Sequence, residues 1–175
     1  MDICRLWCLA CCAFLMASQI GFADEPVNIR ITTPAFSQGD PIPVEYAKNG
    51  QNVSPELRFG TVPASTKSLV LIVDDLDAPT GVWNHWLVWN LPPDTTTIAE
   101  GKLPPGAIQG KNSFGDTSYD GPMPPSGTHH YFFHVFALDV TLPLSEGSVR
   151  ADLDVAMKGH VVGKGVTFGV YSASL

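Results

Sequence analysis

Cysteine is confined to the first twelve residues of this 175-residue chain, which contain all four cysteines, Cys4, Cys8, Cys11 and Cys12. The same region has the layout of a secretory signal peptide: Arg5, an apolar run from Leu6 to about Met16, and small residues up to Ala23. We expect residues 1–23 to be cleaved and a domain of residues 24–175 to be periplasmic or secreted. That domain would contain no cysteine, so its stability in an oxidising compartment would depend on a hydrophobic core rather than on disulfides.

Basic residues are also scarce. Ten lysines and arginines face seventeen acidic residues, giving a net charge of -7. Removing residues 1–23 deletes one acid, Asp2, and one base, Arg5, so the charge stays the same. The remaining chain has no basic run and no interleaved arginine and aromatic pattern, so neither a nucleic acid nor an anionic membrane surface is an expected partner.

Familiar catalytic motifs are missing. The sequence contains no Gly-x-Ser-x-Gly elbow, no phosphate-cradling glycine loop and no metal-binding helix motif. We therefore expect a protein that is not an enzyme, with no cofactor and no resident metal.

What the sequence does contain is a pattern of short apolar segments separated by many of its 15 prolines and 16 glycines, which is typical of an all-β sandwich or barrel. "SLVLIVDD" and "YFFHVFAL" are nearly continuous in apolar residues, as in central strands covered on both sides. One helix is predicted near the C-terminus, from Leu153, Ala156, Met157 and Val161, and Gly163 and Gly165 would end it. The predicted strands are Val27–Thr33, Ile42–Tyr46, Leu57–Phe59, Ser68–Asp74, His85–Leu91, Tyr131–Leu138 and Thr167–Tyr171.

Polar side chains interrupt these strands at their ends. Residues two apart on a strand share a face, so His85 is predicted to lie on the face of Leu87 and Trp89. By the same rule His129 and Tyr131 form a pair at the start of one strand. Asp75 and Asp77, also two apart, follow the end of another. We expect these groups to converge at one end of the sandwich, although the two aspartates can equally serve as turn residues that bond backbone amides.

The motifs "DDLDAP", "WNHW", "YDGPMPP" and "GTHHY", in this order, resemble those of the phosphatidylethanolamine-binding protein family, in its bacterial branch of Raf kinase inhibitor-like proteins. "AMKGHVVGKG" and "GVY" near the C-terminus resemble that branch too. The resemblance implies a mainly β fold, a sandwich of antiparallel sheets with a few short helices, one near the C-terminus. It also implies a small pocket that accepts anions. Its ligand-binding residues would be Asp75, Asp77, His85, Gly121, Pro122, His129 and Tyr131.

Two positions depart from the family pattern. Met123 stands where bacterial relatives often have cysteine, so thiol chemistry is excluded there. His130 stands where the family usually has arginine, which replaces a fixed cation with a titratable side chain.

The function expected from these observations is binding of a small anion or a phospholipid head group, by a chain that could form a homodimer and could modulate a partner protein. One alternative is an inhibitor of a protease, a carboxypeptidase, a kinase or a host protein that acts through protein contacts. The other is a metal-dependent hydrolase, in which His85, His129, His130 and Asp75 would hold the metal.

Overall fold

The computed structural model describes residues 25–173, and the predicted signal peptide lies outside them. The fold is mainly β, as predicted, with two sheets and one α-helix in the described part of the chain. In chain order the elements are β1 (Val27–Asn28), β2 (Ile31–Thr32), a 3-10 helix (Val44–Tyr46), β3 (Leu57–Phe59), β4 (Ser68–Asp75), β5 (Trp83–Leu91), β6 (Thr97–Ile98), β7 (Ile108–Gln109), β8 (Thr128–Leu138), α1 (Arg150–Met157) and β9 (Val161–Ser172).

The strands form a six-stranded sheet in the order β1-β9-β8-β4-β5-β7 and a three-stranded sheet in the order β2-β3-β6. All neighbours are antiparallel except β1 and β9, which run parallel. The main core lies between the two sheets, where Leu57, Phe59 and Ile98 of the small sheet share one cluster with Leu71 and Val135 of the large sheet. The two inner faces therefore bury each other, as in a β-sandwich.

A second apolar cluster lies on the outer face of the large sheet. Val70 and Ile72 of β4 pack there with Leu153 and Met157 of α1. All eight residues of β4 are buried, as predicted for a central strand. In contrast, the outer face of β8 is only half buried, so "YFFHVFAL" is fully covered on one face alone.

Helix α1 is also held by charge. Arg150 Nη1 donates hydrogen bonds of 3.0 and 2.7 Å to the two carboxylate oxygens of Asp74, which is 2% exposed at the end of β4. Asn84 donates a third bond to Asp74. The buried carboxylate is thus fully paired, as a charge in that position requires.

The helix ends earlier than predicted. It stops at Met157, and Val161 is already the first residue of β9. Gly163 and Gly165 do not end the helix but lie within β9, opposite the chain around β1. A Cβ on Gly165 would come within 1.9 Å of the carbonyl oxygen of Ile29, so glycine is required there by the close approach of two backbones.

Two strand predictions were wrong. The segment Ile42–Tyr46 contains a 3-10 helix rather than a strand, since Pro41 and Pro43 lack the N–H groups that a ladder needs. Pro41 makes only an isolated bridge to Val170. The segment Val27–Thr33 is divided into β1 and β2 because the chain crosses there from the large sheet to the small one.

Among residues 25–173, no helix combines the length and the apolar character needed to cross a membrane.

Candidate functional site

The candidate site lies where β4 ends between the starts of its two antiparallel neighbours. Asp75, the last residue of β4, pairs with Trp83 at the start of β5 and with Tyr131 near the start of β8. His129 lies two residues before Tyr131, on the same face of β8. The sheet register therefore brings three separate segments to one point, and there Asp75 meets His129 and Tyr131, as predicted.

The position of His85 depends on a β-bulge. Val73 pairs with Trp86, whereas the next residue, Asp74, pairs with Asn84. His85 is therefore an extra residue in β5, without a partner of its own in β4. A bulge of this kind turns a side chain away from the face that simple alternation would give it.

The bulge reverses the predicted face of His85. Leu87 and Trp89 pack in the outer cluster beneath α1. The ring of His85 instead packs edge-on against Tyr131, with ring centroids 5.1 Å apart, and Tyr131 belongs to the core between the sheets. The alternation rule was wrong for this residue, and the predicted convergence with Tyr131 occurs because the bulge overrides it.

A cavity of about 260 Å³ opens at this end of the sandwich. Its ionisable side chains are Asp75 and His85. Its other walls are mostly apolar, and the full lining set is Asp75, Ala78, Pro79, Thr80, Trp83, His85, Phe114, Met123 and Pro125. A ligand would thus meet polar groups at the strand ends and apolar or aromatic surfaces from the loops, which is the usual composition of a small-molecule site.

Asp75 is bonded on both carboxylate oxygens. Oδ1 accepts the backbone N–H of Asp77 at 2.9 Å, which is the turn role that the sequence left open for this residue. Oδ2 lies 2.7 Å from Nδ1 of His129, and both side chains are buried. Because a carboxylate only accepts, His129 carries a proton on Nδ1, and the pair has the arrangement in which a carboxylate orients an imidazole.

The hydroxyl of Tyr131 is buried, and within the described residues it is the sole buried side-chain oxygen or nitrogen that makes no hydrogen bond of regular geometry, although the carboxylate of Asp75 and the backbone of Met123 lie close to it. Burial and the nearby charge of Asp75 raise the pKa of Tyr131, so the group is a neutral O–H at any physiological pH. Tyr131 and His129, which were predicted to bind a ligand, are not among the residues that line the cavity; they lie behind His85 and Asp75, which do line it.

His85 is held from behind by the backbone. Its Nδ1 lies 2.7 Å from the carbonyl oxygen of Asp120, and the ring is 2% exposed. Burial lowers the pKa of His85, although the carbonyl of Asp120 and the charge of Asp75 oppose the shift. The imidazole is therefore neutral at pH 7, and its Nδ1–H donates a hydrogen bond to the carbonyl oxygen of Asp120.

Asp120 is the centre of a buried polar group that we call the Asp120 cluster: Asp120, Lys48, Asn52 and Asn112. Lys48 and Asn52 donate to Oδ1 of Asp120, and Asn112 donates to Oδ2 at 2.9 Å. Burial opposes ionisation, but these bonds outweigh it and lower the pKa of Asp120. The cluster fixes the loop that contains Asp120, and the backbone carbonyl of Asp120 accepts the hydrogen bond from Nδ1 of His85.

Asp77 lies away from the cavity walls. Its Oδ2 accepts from the backbone N–H of His130 at 2.8 Å and lies 2.7 Å from Nδ1 of His130. The bonds from His130 lower the pKa of Asp77. Asp77 thus joins the loop after β4 to the start of β8, and it meets the exposed histidine that departs from the family pattern.

Gly121 and Pro122 also do not line the cavity. The N–H of Gly121 is used by the side chain of Asn52 at 2.7 Å, so it is not available to a ligand. A Cβ on Gly121 would lie 2.0 Å from the carbonyl oxygen of Tyr46. These two residues pack the rim loop against the chain near Lys48, and the following Met123 reaches the cavity instead.

Sequence reasoning missed part of the walls of the cavity and the support behind it. Trp83 and Phe114 meet edge-on at 5.4 Å, and Lys48 lies over the ring of Phe114 at 4.2 Å. Trp83 was not missed, because Trp83, Trp86 and Trp89 are predicted from the sequence to be core or pocket wall, and Trp83 lines the cavity. Phe114 and Lys48 come from loops distant in sequence, and no local pattern connects them with the site.

The residues of the hydrolase alternative are engaged in separate pairs. His85 bonds to Asp120, His129 to Asp75 and His130 to Asp77. In the part of the chain that the structure describes, no three histidine, cysteine or acidic side chains are grouped so that they could hold a metal ion.

Comparison with known proteins gives consistent matches over most of the chain. The family model described as phosphatidylethanolamine-binding protein matches residues 32–172. A UPF0098 protein of Methanothermobacter thermautotrophicus is 45% identical over 148 residues, covering 82% of this chain and 98% of the relative. A UPF0098 protein of Chlamydia trachomatis is 43% identical over 148 residues, with coverage of 82% and 98%.

Solved structures agree with these matches. A phosphatidylethanolamine-binding protein homolog from Chlamydia trachomatis has a TM-score of 0.80 and 41% identity, covering 84% of this chain and 99% of its own. Escherichia coli YbcL, described as a member of the mammalian family of these proteins, has a TM-score of 0.79 and 31% identity, covering 83% and 99%.

Proposed function

The chain belongs to the phosphatidylethanolamine-binding protein family, and on that premise we propose that it binds a small anion, a phosphate or the phosphate of a phospholipid head group, in the cavity beside Asp75 and His85. The proposed role is recognition rather than catalysis. The observation that carries it is the cavity itself, in which the polar groups of Asp75 and His85 at the strand ends face mostly apolar walls contributed by loops.

The chemistry of the cavity suits a tetrahedral oxyanion. Thr80 offers a hydroxyl in the cavity wall that can donate to a ligand oxygen. Asp75 and neutral His85 can accept a proton that the ligand carries. The apolar walls exclude water and strengthen each of these bonds.

Affinity should depend on pH in a defined direction. The complex places a phosphate group against Asp75 and His85, so a proton must be present on the ligand or on His85. A phosphate monoester has a second pKa of about 6, so a proton becomes available on this ligand as pH falls toward that value, whereas burial lowers the pKa of His85 below its ordinary value. We expect the affinity for a phosphate monoester, glycerol phosphate, to rise steadily from about pH 8 to about pH 5.5 in calorimetric titrations. No binding, or an affinity that does not change over this range, would contradict the proposal.

We also propose that the protein acts outside the cytoplasmic membrane after cleavage near Ala23, because the sequence of residues 1–23 has the order of a signal peptide. The intact mass of protein from the periplasm or medium should correspond to a chain that begins near Asp24. Protein that keeps residues 1–23 in the soluble cytoplasmic fraction would exclude export.

A further inference from the structure

We propose that the cavity selects oxyanions that carry a proton and rejects oxyanions of the same shape that carry none, so that phosphate binds and sulfate does not. The inference rests on the proposed function, since it specifies the class of anion that the same site accepts. It follows from three features of the structure: the bonded state of His85, the bonded state of Asp75, and the position of Lys48.

The first step concerns His85. A backbone carbonyl oxygen can only accept a hydrogen bond, so the 2.7 Å contact with Asp120 requires the proton of His85 to be on Nδ1. Nε2 is the ring nitrogen left for a ligand, and in a neutral imidazole it carries a lone pair. The burial that lowers the pKa of His85 keeps the ring in this neutral form at pH 7. The histidine of the cavity thus accepts and does not donate.

The second step concerns Asp75. Its two oxygens accept from Asp77 and His129 and keep further lone pairs, which a ligand in the cavity would meet. Both ionisable groups that line the cavity therefore offer acceptors to a ligand. An oxyanion without a proton would present its own lone pairs to both, whereas an acidic P–OH group would bond to one of them.

The third step concerns positive charge, which would be needed to offset the negative charges of an unprotonated anion and of Asp75. No lysine or arginine is among the residues that line the cavity. The nearest such cation in the site, Lys48, is paired with Asp120 behind Phe114. Its charge is used to hold the Asp120 cluster, so it cannot neutralise the repulsion between an unprotonated anion and Asp75. We therefore assign Lys48 a positioning role: it fixes Asp120, whose carbonyl in turn fixes the tautomer of His85.

A comparison of phosphate with sulfate distinguishes selection of protonated oxyanions from binding of any small anion. Both are tetrahedral and of similar size, but near neutral pH phosphate keeps at least one proton and sulfate keeps none. A ligand that lacks a donor leaves a buried acceptor unpaired, which typically lowers affinity by a factor of ten or more. Sites that must hydrogen-bond a ligand reject analogues lacking the group for the same reason.

The experiment is a calorimetric titration of the protein with sodium phosphate and with sodium sulfate at pH 7 and equal ionic strength. We expect sulfate to bind at least about tenfold more weakly than phosphate. Equal affinities would overturn this inference and leave the proposed function standing. Failure of both anions to bind would remove the proposed function and the inference together.

Two variants and one spectrum test the cause. In His85→Gln the amide can turn to donate or accept, so the ratio of phosphate to sulfate affinity should fall toward one; an unchanged ratio would exclude His85 as its source.

Nitrogen-15 NMR of the ligand-free protein should show His85 as the Nδ1-protonated neutral tautomer at pH 7. In Lys48→Met this signature should become a mixture of tautomers, whereas Lys67→Met, on the exposed surface, should leave it unchanged. An Nε2-protonated ring in the unmodified protein would refute the inference directly.

Discussion

At the scale of single residues, the site is a set of pairs in which each histidine is oriented by an oxygen. His129 is oriented by the side chain of Asp75 and His85 by the backbone of Asp120. The difference matters, because a carboxylate stabilises the imidazolium ion through its charge and a carbonyl does so only through its dipole.

Replacing either ring by alanine should weaken phosphate binding. We expect His85→Ala and His129→Ala each to lower the affinity by about 1–3 kcal/mol, roughly five- to 150-fold, because the first removes a hydrogen-bond acceptor from the cavity wall and the second removes the ring that bonds Asp75. Calorimetry measures the change, with His160→Ala as the control, since His160 pairs with Asp139 away from the cavity.

The same variants distinguish a binding protein from an enzyme. Ester, phosphoester and peptide substrates should show no turnover above background, with or without added zinc. Metal-dependent turnover that His85→Ala abolishes would contradict the binding role and favour the hydrolase alternative.

Residue types and their order were enough to bring Asp75, His129 and Tyr131 together, because antiparallel register and two-residue alternation decide their positions. His85 could not be placed in the same way. The face of the sheet on which His85 lies depends on one inserted residue in β5, and two-residue alternation does not predict where a bulge occurs. Lys48 and Phe114 lie in loops, which lack the periodic pattern of apolar residues that predicts the position of a side chain in a strand or helix.

At the scale of elements, the contact between the chain around β1 and β9 depends on the absence of side chains. We expect Gly165→Ala to destabilise the protein by roughly 2–3 kcal/mol, because its methyl group would displace the backbone at Ile29. Lys164→Ala, the neighbouring position on the exposed face, should change stability by less than about 0.5 kcal/mol. Urea denaturation of both variants checks this, and equal stabilities would show that the backbone relaxes at no cost.

The strands illustrate what periodicity can and cannot reveal. Strand β4 was recognised because eight apolar or buried residues in a row have few other structures available. The C-terminal helix was extended too far because Val161 continues the helical spacing by coincidence. Glycine ends helices and also permits close strand contacts, and the sequence alone does not distinguish the two uses.

At the scale of the whole molecule, stability should decrease as the medium becomes acidic. Burial lowers the pKa of both His85 and His134 in the folded protein below the ordinary value of about 6.5. The unfolded chain therefore binds more protons below pH 6.5, and stability that is complete above this value is lost as pH falls toward the folded pKa.

This loss can be assigned to a particular ring. His134 lies stacked between Phe132 and Phe136 on the outer face of β8, with ring centroids 6.0 and 6.1 Å away. In His134→Phe the decrease in unfolding free energy between pH 6.5 and 5 should be shallower, measured by urea denaturation at several pH values. His160→Phe serves as the control at an exposed histidine. An unchanged slope in His134→Phe would show that this ring titrates normally in the folded state.

The cavity has two kinds of boundary with different freedom to change. Asp75 is held by the register of the large sheet and His85 by the bulge in β5 and the carbonyl of Asp120, so a substitution that disturbed either would disturb the strands. Pro79, Thr80, Phe114, Met123 and Pro125 lie in loops, where substitutions leave strand pairing intact. The strand residues of the cavity and its loop residues can therefore be changed separately. Altering either of two loops, the one between β4 and β5 or the one between β7 and β8, would change the apolar walls of the cavity and leave its strand residues in place.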